Sequence, residues 1–190
     1  NFDQAQIFYD KVLAINPQYV ESMNNLGTVL IEKNNLAGAK KILNAGMKLQ
    51  PNNLDIRINL GKVFSTEEDH PSAIKYYQQA LTIDTDSVTA LTGLARSMQK
   101  NKQVEEAVDL LNKKLEVYDE EVALALADIL NDEDRSEEAI HWLEKVIDEN
   151  KECEKAHGLI GYINLVLGNK TKALEGMKAG LKIKPDNIEI

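Results

Sequence analysis

The chain has 190 residues, of which 43% are hydrophobic, and its formal net charge is −9. This composition is typical of a folded, water-soluble protein, and no segment approaches the roughly 20 consecutive apolar residues that a membrane-spanning helix requires. A single cysteine, Cys153, excludes an internal disulfide and favours a reducing compartment, with the cytoplasm as the default location. Because the chain does not begin with methionine, we expect it to be a fragment of a longer protein.

Acidic residues are concentrated in one part of the sequence. Between Glu116 and Glu154, fifteen acidic residues stand against Arg135, Lys145 and Lys151. Nucleic-acid binding requires Lys and Arg grouped on one surface, so this distribution predicts that nucleic acid is not a partner. The acidic segment is typical of solvated helix faces, and a surface that attracts a basic partner is the alternative.

Residues that favour helices outnumber β-branched and aromatic residues, and a repeating pattern follows an initial helix in residues 1–19. The segment 23–27, Met-Asn-Asn-Leu-Gly, recurs 34 residues later as Arg-Ile-Asn-Leu-Gly in 57–61, and less closely in 91–95. A second motif, which begins with alanine, recurs at Ala39, Ala73, Ala107, Ala139 and Ala173. A period of 34 residues is typical of helix-turn-helix repeats.

These motifs resemble the tetratricopeptide repeat family over essentially the whole chain. The resemblance implies an all-α fold, a right-handed superhelical solenoid of antiparallel helix pairs. The predicted units form one domain and are a half repeat with a single helix at 1–19 and full repeats at 20–53, 54–87, 88–119, 120–153 and 154–187.

Small residues and one irregular interval lead to two structural expectations. Gly27, Ala39 and Gly46 are expected to let neighbouring helices approach closely. The interval from Ala107 to Ala139 is 32 residues instead of 34, so we expect the turn that contains Tyr118 and Asp119 to be two residues short.

Residues that could carry chemistry are few and scattered. The histidines at positions 70, 141 and 157 fall in different structural places, and one cysteine cannot complete a four-ligand zinc site with them. Segment 132–134 lacks the glycine and glutamate of a calcium loop, and segment 168–171 lacks most of a phosphate-binding loop. We therefore predict that the protein is not an enzyme and uses no cofactor or metal.

The family resemblance implies that the first helix of each repeat lines a concave groove that binds a protein or peptide. The predicted groove residues are Asn24, Asn25, Thr28, Asn59, Lys62, Thr92 and Arg96. Asn25 and Asn59 occupy the same place in successive repeats and are expected to hydrogen-bond an extended backbone, with little effect on folding when either is replaced. Lys62 and Arg96 are expected to bind carboxylates. Common descent alone would also account for Asn25 and Asn59 at equivalent places.

The last predicted hairpin carries an apolar stripe, consisting of Leu159, Tyr162, Leu165 and Val166, with no following repeat to cover it. We expect weak dimerisation through this stripe. The sequence thus favours a protein-binding scaffold. Two alternatives stay open: a targeting or substrate-recruiting domain of a larger enzyme, such as a glycosyltransferase, and a self-assembling structural protein.

Overall fold

The computed structural model describes residues 1–185, and their regular structure consists of helices, without a strand in this range. The helices in chain order are α1 Phe2–Ile15, α2 Val20–Glu32, α3 Leu36–Leu49, α4 Leu54–Thr66, α5 His70–Leu81, α6 Val88–Lys100, α7 Val104–Lys114, α8 Glu120–Asp132, α9 Ser136–Glu149, α10 Glu154–Val166 and α11 Lys170–Ile183. The all-α prediction is therefore confirmed. Residues 186–187, which were predicted to complete the fifth repeat, lie outside the described part.

The even-numbered helices from α2 to α10 begin at Val20, Leu54, Val88, Glu120 and Glu154, where the sequence pattern places the starts of the repeats. The chain divides into two compact units, Asn1–Gln103 and Val104–Ile190. The two helices of the predicted third repeat, α6 and α7, belong to different units. A single domain stays a prediction.

Side chains at the helix starts explain where several helices begin. Asn35, Asn53 and Asp119 each accept a hydrogen bond, 3.0 Å long, from the backbone N–H three residues further on. Such caps satisfy one of the N–H groups that the first turn of a helix leaves without a partner. The turn between α10 and α11 contains Gly168 at φ +79°, a left-handed backbone conformation that glycine adopts without steric cost.

Glycines allow the close helix packing that the sequence predicts in the first unit. A Cβ atom added to Gly27 of α2 would lie 2.5 Å from Cδ2 of Leu43 in α3. A Cβ atom on Gly46 would lie 2.8 Å from Cδ1 of Ile56, which lies in the first turn of α4. Both distances are too short for carbon atoms that do not share a bond, so the positions require glycine as long as these neighbours stay in place.

The shortened repeat differs from the sequence expectation. Five residues, 115–119, separate α7 from α8, whereas four residues, 50–53, separate α3 from α4. The helix itself is short, since α7 has 11 residues and α3 has 14. The prediction of a turn two residues short was therefore wrong. Lys114 takes the place that the buried Gly46 has in the first full repeat. Burial of the Lys114 ammonium group there would be costly, and α7 ends at this residue.

Candidate partner-binding surface

The first helices of the first unit lie side by side, because α2 contacts α4 and α4 contacts α6. Residues 34 positions apart therefore occupy equivalent places on adjacent helices. One such set is Thr28, Lys62 and Arg96, which we call the polar row. Thr28 is half-buried, and the Lys62 and Arg96 side chains are exposed. The polar row therefore presents two neighbouring cationic side chains to the solvent.

Asn59 lies beneath the polar row and links two of its helices. The residue is only 7% exposed. Its Nδ2 donates to Oδ1 of Asn24 over 2.8 Å and to Oγ1 of Thr28 over 3.1 Å. An amide nitrogen carries two N–H bonds, so these two contacts use its whole donor capacity. Asn59 therefore joins α4 to α2, and its N–H groups are not directed toward a ligand.

Asn25 occupies the equivalent place on α2 but has a different environment. Asn59 faces the preceding first helix, α2, through its contacts with Asn24 and Thr28. Asn25 is exposed, and Asn59 is buried. The sequence pattern suggests equal roles for the two asparagines, but their surroundings in the structure differ. Among the two, Asn25 is the one whose side chain is accessible to a partner.

Tyr77 explains why the third repeat has glycine where the two preceding repeats have asparagine. A Cβ atom on Gly93 would lie 2.6 Å from Cε1 and Cζ of Tyr77, and one on Gly61 would lie 2.7 Å from Cε1. The Tyr77 ring is 3% exposed and thus fills the space that both glycines leave. Burial raises the pKa of the Tyr77 phenol, an effect that a hydrogen bond with Ser65 partly opposes.

Thr92 and two serines form polar contacts within the helices and between them. Thr92, 9% exposed, donates from Oγ1 to the Val88 carbonyl oxygen over 3.0 Å, so its hydroxyl hydrogen is directed into its own helix. Oγ of Ser97 lies 3.0 Å from Oγ of Ser65 and 2.8 Å from the carbonyl oxygen of Gly93. The Ser65–Ser97 contact links α4 to α6 and was not predicted, although small polar residues on both inner faces were its signal in the sequence.

The seven predicted groove residues therefore fall into three classes. Asn25, Lys62 and Arg96 are exposed, Asn24 and Thr28 are half-buried, and Asn59 and Thr92 are buried. The accessible part of the predicted groove is an amide on α2 and two cationic groups on α4 and α6. Of the two buried residues, Asn59 joins α4 to α2, and the Thr92 hydroxyl bonds within α6.

The predicted association stripe lies on α10 in the second unit. Three of its residues, Tyr162, Leu165 and Val166, are exposed, and Leu159 is half-buried. Leu174 of α11 is also exposed, a residue that the sequence pattern did not single out. Self-association through this stripe stays a prediction.

Side chains that could bind a metal ion are not grouped among residues 1–185. This range contains no cluster of three or more His, Cys, Asp or Glu side chains that could hold a metal ion. Cys153 is 6% exposed, and burial raises the pKa of its thiol. Within the same range, no helix is long and apolar enough to cross a membrane.

Comparison with protein families agrees with this architecture. The sequence model of the family described as "Tetratricopeptide repeat protein 21 C-terminal ARM domain" matches residues 45–182, and that of the "Tetratricopeptide repeat" matches residues 1–60. The first match covers well over half of the chain. The chain belongs to the tetratricopeptide repeat family, which confirms the resemblance seen in the sequence.

Two relatives share shorter segments. The chain is 24% identical to the anaphase-promoting complex subunit CDC27 of Saccharomyces cerevisiae over 92 residues, which are 48% of this chain and 12% of that protein. It is 26% identical to tetratricopeptide repeat protein 7B of Homo sapiens over 87 residues, which are 46% of this chain and 10% of that protein. The matched segments thus span only a small part of these relatives.

Solved structures show the same fold. A tetratricopeptide repeat protein from Parabacteroides merdae matches with a TM-score of 0.83 at 18% identity, over 98% of this chain and 73% of that one. PilF of Pseudomonas aeruginosa matches with a TM-score of 0.71 at 18% identity, over 100% and 87% of the two chains. YrrB, described as a TPR protein with an unusual peptide-binding site, matches with a TM-score of 0.59 at 20% identity, over 95% and 94%. The predicted solenoid fold class is confirmed.

Proposed function

We propose that the chain is a protein-interaction scaffold whose first unit binds an extended, acidic segment of a partner protein. The observation that carries this proposal is the placement of Lys62 and Arg96 at equivalent, exposed places on the adjacent helices α4 and α6. Arrays of this family generally act in protein binding and are generally not enzymes. Two similar proteins, a subunit of the anaphase-promoting complex and a protein with a peptide-binding site, support the same class of function.

The spacing of the two cations indicates the ligand sequence that would fit them. Packed helix axes lie about 8–10 Å apart, and a peptide in the extended polyproline II conformation advances about 3.1 Å per residue with three residues per turn. Carboxylates three positions apart on such a segment therefore lie on the same side and span about the distance from α4 to α6. Asn25, on α2, extends the same surface and offers an amide that both donates to and accepts from a peptide backbone.

The charge of the first unit favours an acidic ligand there. Residues 1–103 hold eleven basic and ten acidic side chains, so this unit is nearly neutral, whereas the acidic excess of the chain lies in residues 104–190. An approaching carboxylate therefore meets no strong net negative charge on this unit. An acidic segment would also be repelled by the second unit, which directs it to the first.

Peptide titration tests this function. Fluorescence anisotropy would compare an extended peptide that carries aspartates three positions apart with a peptide in which both are asparagine. We expect the aspartate peptide to bind more tightly and the preference to shrink as added salt screens the charges. Equal binding of the two peptides would show that Lys62 and Arg96 do not select the ligand.

Two further roles are compatible with a binding scaffold. Recruitment of a substrate to a larger enzyme, such as a glycosyltransferase, would use the same surface, and the sequence of the full-length protein distinguishes it. Self-assembly, including weak dimerisation through Leu159, Tyr162, Leu165 and Val166, is a separate candidate, supported by the exposure of the last three side chains. Sedimentation at increasing protein concentration distinguishes assembly from a monomeric scaffold.

A further inference from the structure

A second row of charged side chains lies on the first helices of the first unit. Glu21 of α2 and Asp55 of α4 are 34 positions apart, so they occupy equivalent places on two helices that contact each other. Both residues are exposed, and we call them the acidic row. The Tyr19 hydroxyl group donates to a carboxylate oxygen of Glu21, so one of the two carboxylates is also held in place.

The acidic row runs alongside the polar row on the same side of the helices. Glu21 and Thr28 are seven positions apart, and so are Asp55 and Lys62. Seven residues complete almost two turns of an α-helix and advance about 10 Å along it. The two members of each pair therefore face the same way. The two rows thus form an acidic edge and a basic edge of one surface, with Lys62 and Arg96 on the basic edge.

The separation of the two rows fits one extended chain between them. Neighbouring chains in a sheet lie about 4.8 Å apart, so a segment midway between the rows is about one such spacing from each. In the polyproline II conformation three residues complete a turn, so the two residues between carboxylates three positions apart point to other sides of the segment. The intervening side chains can therefore meet the acidic row while the carboxylates meet Lys62 and Arg96.

We propose that the acidic row binds basic side chains of the same partner segment whose carboxylates bind the polar row. The ligand is then a mixed-charge segment, with two acidic residues three positions apart and lysine or arginine between them. This inference rests on the proposed function, because the acidic row selects among the ligands that Lys62 and Arg96 bind. A uniformly acidic segment would be repelled by Glu21 and Asp55, so the surface selects against it.

A purely structural role of the acidic row makes a different prediction. Glu21 and Asp55 lie in the first turns of α2 and α4, where a negative charge stabilises a helix. If this were their whole role, removal of the charges would lower stability and leave the choice of ligand unchanged. If the acidic row binds the ligand, the charges at these two positions decide which peptide binds more tightly. Ligand preference is therefore the measurement that distinguishes the two roles.

The experiment uses the 190-residue chain and three peptides that share two aspartates three positions apart. The two positions between the aspartates hold lysine in the first peptide, serine in the second and glutamate in the third. Fluorescence anisotropy with the unaltered chain should show that the lysine peptide binds about threefold or more tightly than the serine peptide, and that the glutamate peptide binds least tightly. The double variant Glu21→Lys/Asp55→Lys should reverse this order.

Matched variants keep the test specific. Glu137→Lys/Glu144→Lys reverses two exposed acidic residues on α9 of the second unit, changes the net charge by the same amount and should leave the order unchanged. The neutral pair Glu21→Gln/Asp55→Asn should weaken the preference for the lysine peptide without reversing it. Far-UV circular dichroism of each variant reports folding separately.

Two results would overturn this inference and leave the proposed function standing. In the first, the three peptides bind equally well, although each binds more tightly than its counterpart with asparagine in place of aspartate. In the second, the order persists in Glu21→Lys/Asp55→Lys or is lost in Glu137→Lys/Glu144→Lys, which would assign the basic side chains to the second unit. If no aspartate peptide binds more tightly than its asparagine counterpart, the proposed function fails, and this inference fails with it.

Discussion

Asn59 of α4 and Asn24 of α2 are joined by a hydrogen bond of 2.8 Å, and Asn59 is almost completely buried. An asparagine at a place where the sequence pattern predicts ligand binding thus holds two adjacent repeats together. The exposed Asn25, one repeat earlier, makes a matched comparison because it has the same residue type and the same place in its helix.

Replacing Asn59 should therefore destabilise the first unit. Asn59→Ala removes two hydrogen bonds and leaves Oδ1 of Asn24 without this donor, so we expect the free energy of unfolding to fall by about 1–3 kcal/mol. Asn25→Ala should change it by less than about 0.5 kcal/mol, as is usual at an exposed position. Guanidinium denaturation followed by circular dichroism measures both, and equal losses for the two variants would contradict the different roles.

A second prediction concerns the space between Tyr77 and Gly93. Gly93→Ala would place a Cβ atom 2.6 Å from the Tyr77 ring and should cost about 1–3 kcal/mol of stability, although alanine otherwise favours a helix. In a Tyr77→Leu background the same change should cost much less, because leucine occupies the corresponding place at Leu43 and Leu111. A double-mutant cycle measures the difference, and additive effects would show that Tyr77 is not the reason why position 93 requires glycine.

A third prediction concerns acid. Asp69 accepts a hydrogen bond from the backbone N–H of Ser72 at the start of α5, and its hydrogen bonds with Ser72 hold the pKa of Asp69 below its ordinary value of 3.8. A lowered pKa in the folded state means that the stabilisation is present above this ordinary value and is lost as the pH falls through the folded-state pKa. The melting temperature of the unaltered chain should therefore fall more steeply below about pH 4 than that of Asp69→Asn, which caps without titrating. Parallel curves would contradict the assignment.

Cys153 supplies a fourth prediction. The thiol is buried, and burial raises its pKa, so little thiolate is available near neutral pH. Iodoacetamide should modify Cys153 slowly in the folded protein and rapidly after unfolding in guanidinium, as mass spectrometry would measure. Similar rates in both states would show that Cys153 is accessible and not a packing residue.

The sequence allowed much of the fold to be predicted because the repeat period is a property of local spacing. Val20, Leu54 and Val88 begin helices where the pattern places them, and Gly27 allows the close helix packing expected there, with Leu43 beside it. The short third repeat was misjudged, since spacing alone shows that two residues are missing but does not show whether the helix or the turn lost them.

The candidate surface was less predictable for a physical reason. Equivalent places in a repeat share a direction but not their neighbours: Asn59 is buried against Asn24 and Thr28 of α2, whereas Asn25 is exposed. Position 93 has glycine, and the equivalent positions 25 and 59 have asparagine, because Tyr77 on another helix fills the space beside Gly93. Such effects depend on contacts between helices and become visible only when these helices are placed together.

The most direct test of the proposed function is a binding titration of the aspartate peptide against charge-reversed variants of the chain. Lys62→Glu and Arg96→Glu should each weaken binding by about 1 kcal/mol or more, and the exposed Lys75→Glu on α5 should leave it unchanged. If Lys62→Glu and Arg96→Glu bind the peptide as tightly as the unaltered chain does, the first unit does not bind acidic segments through the polar row.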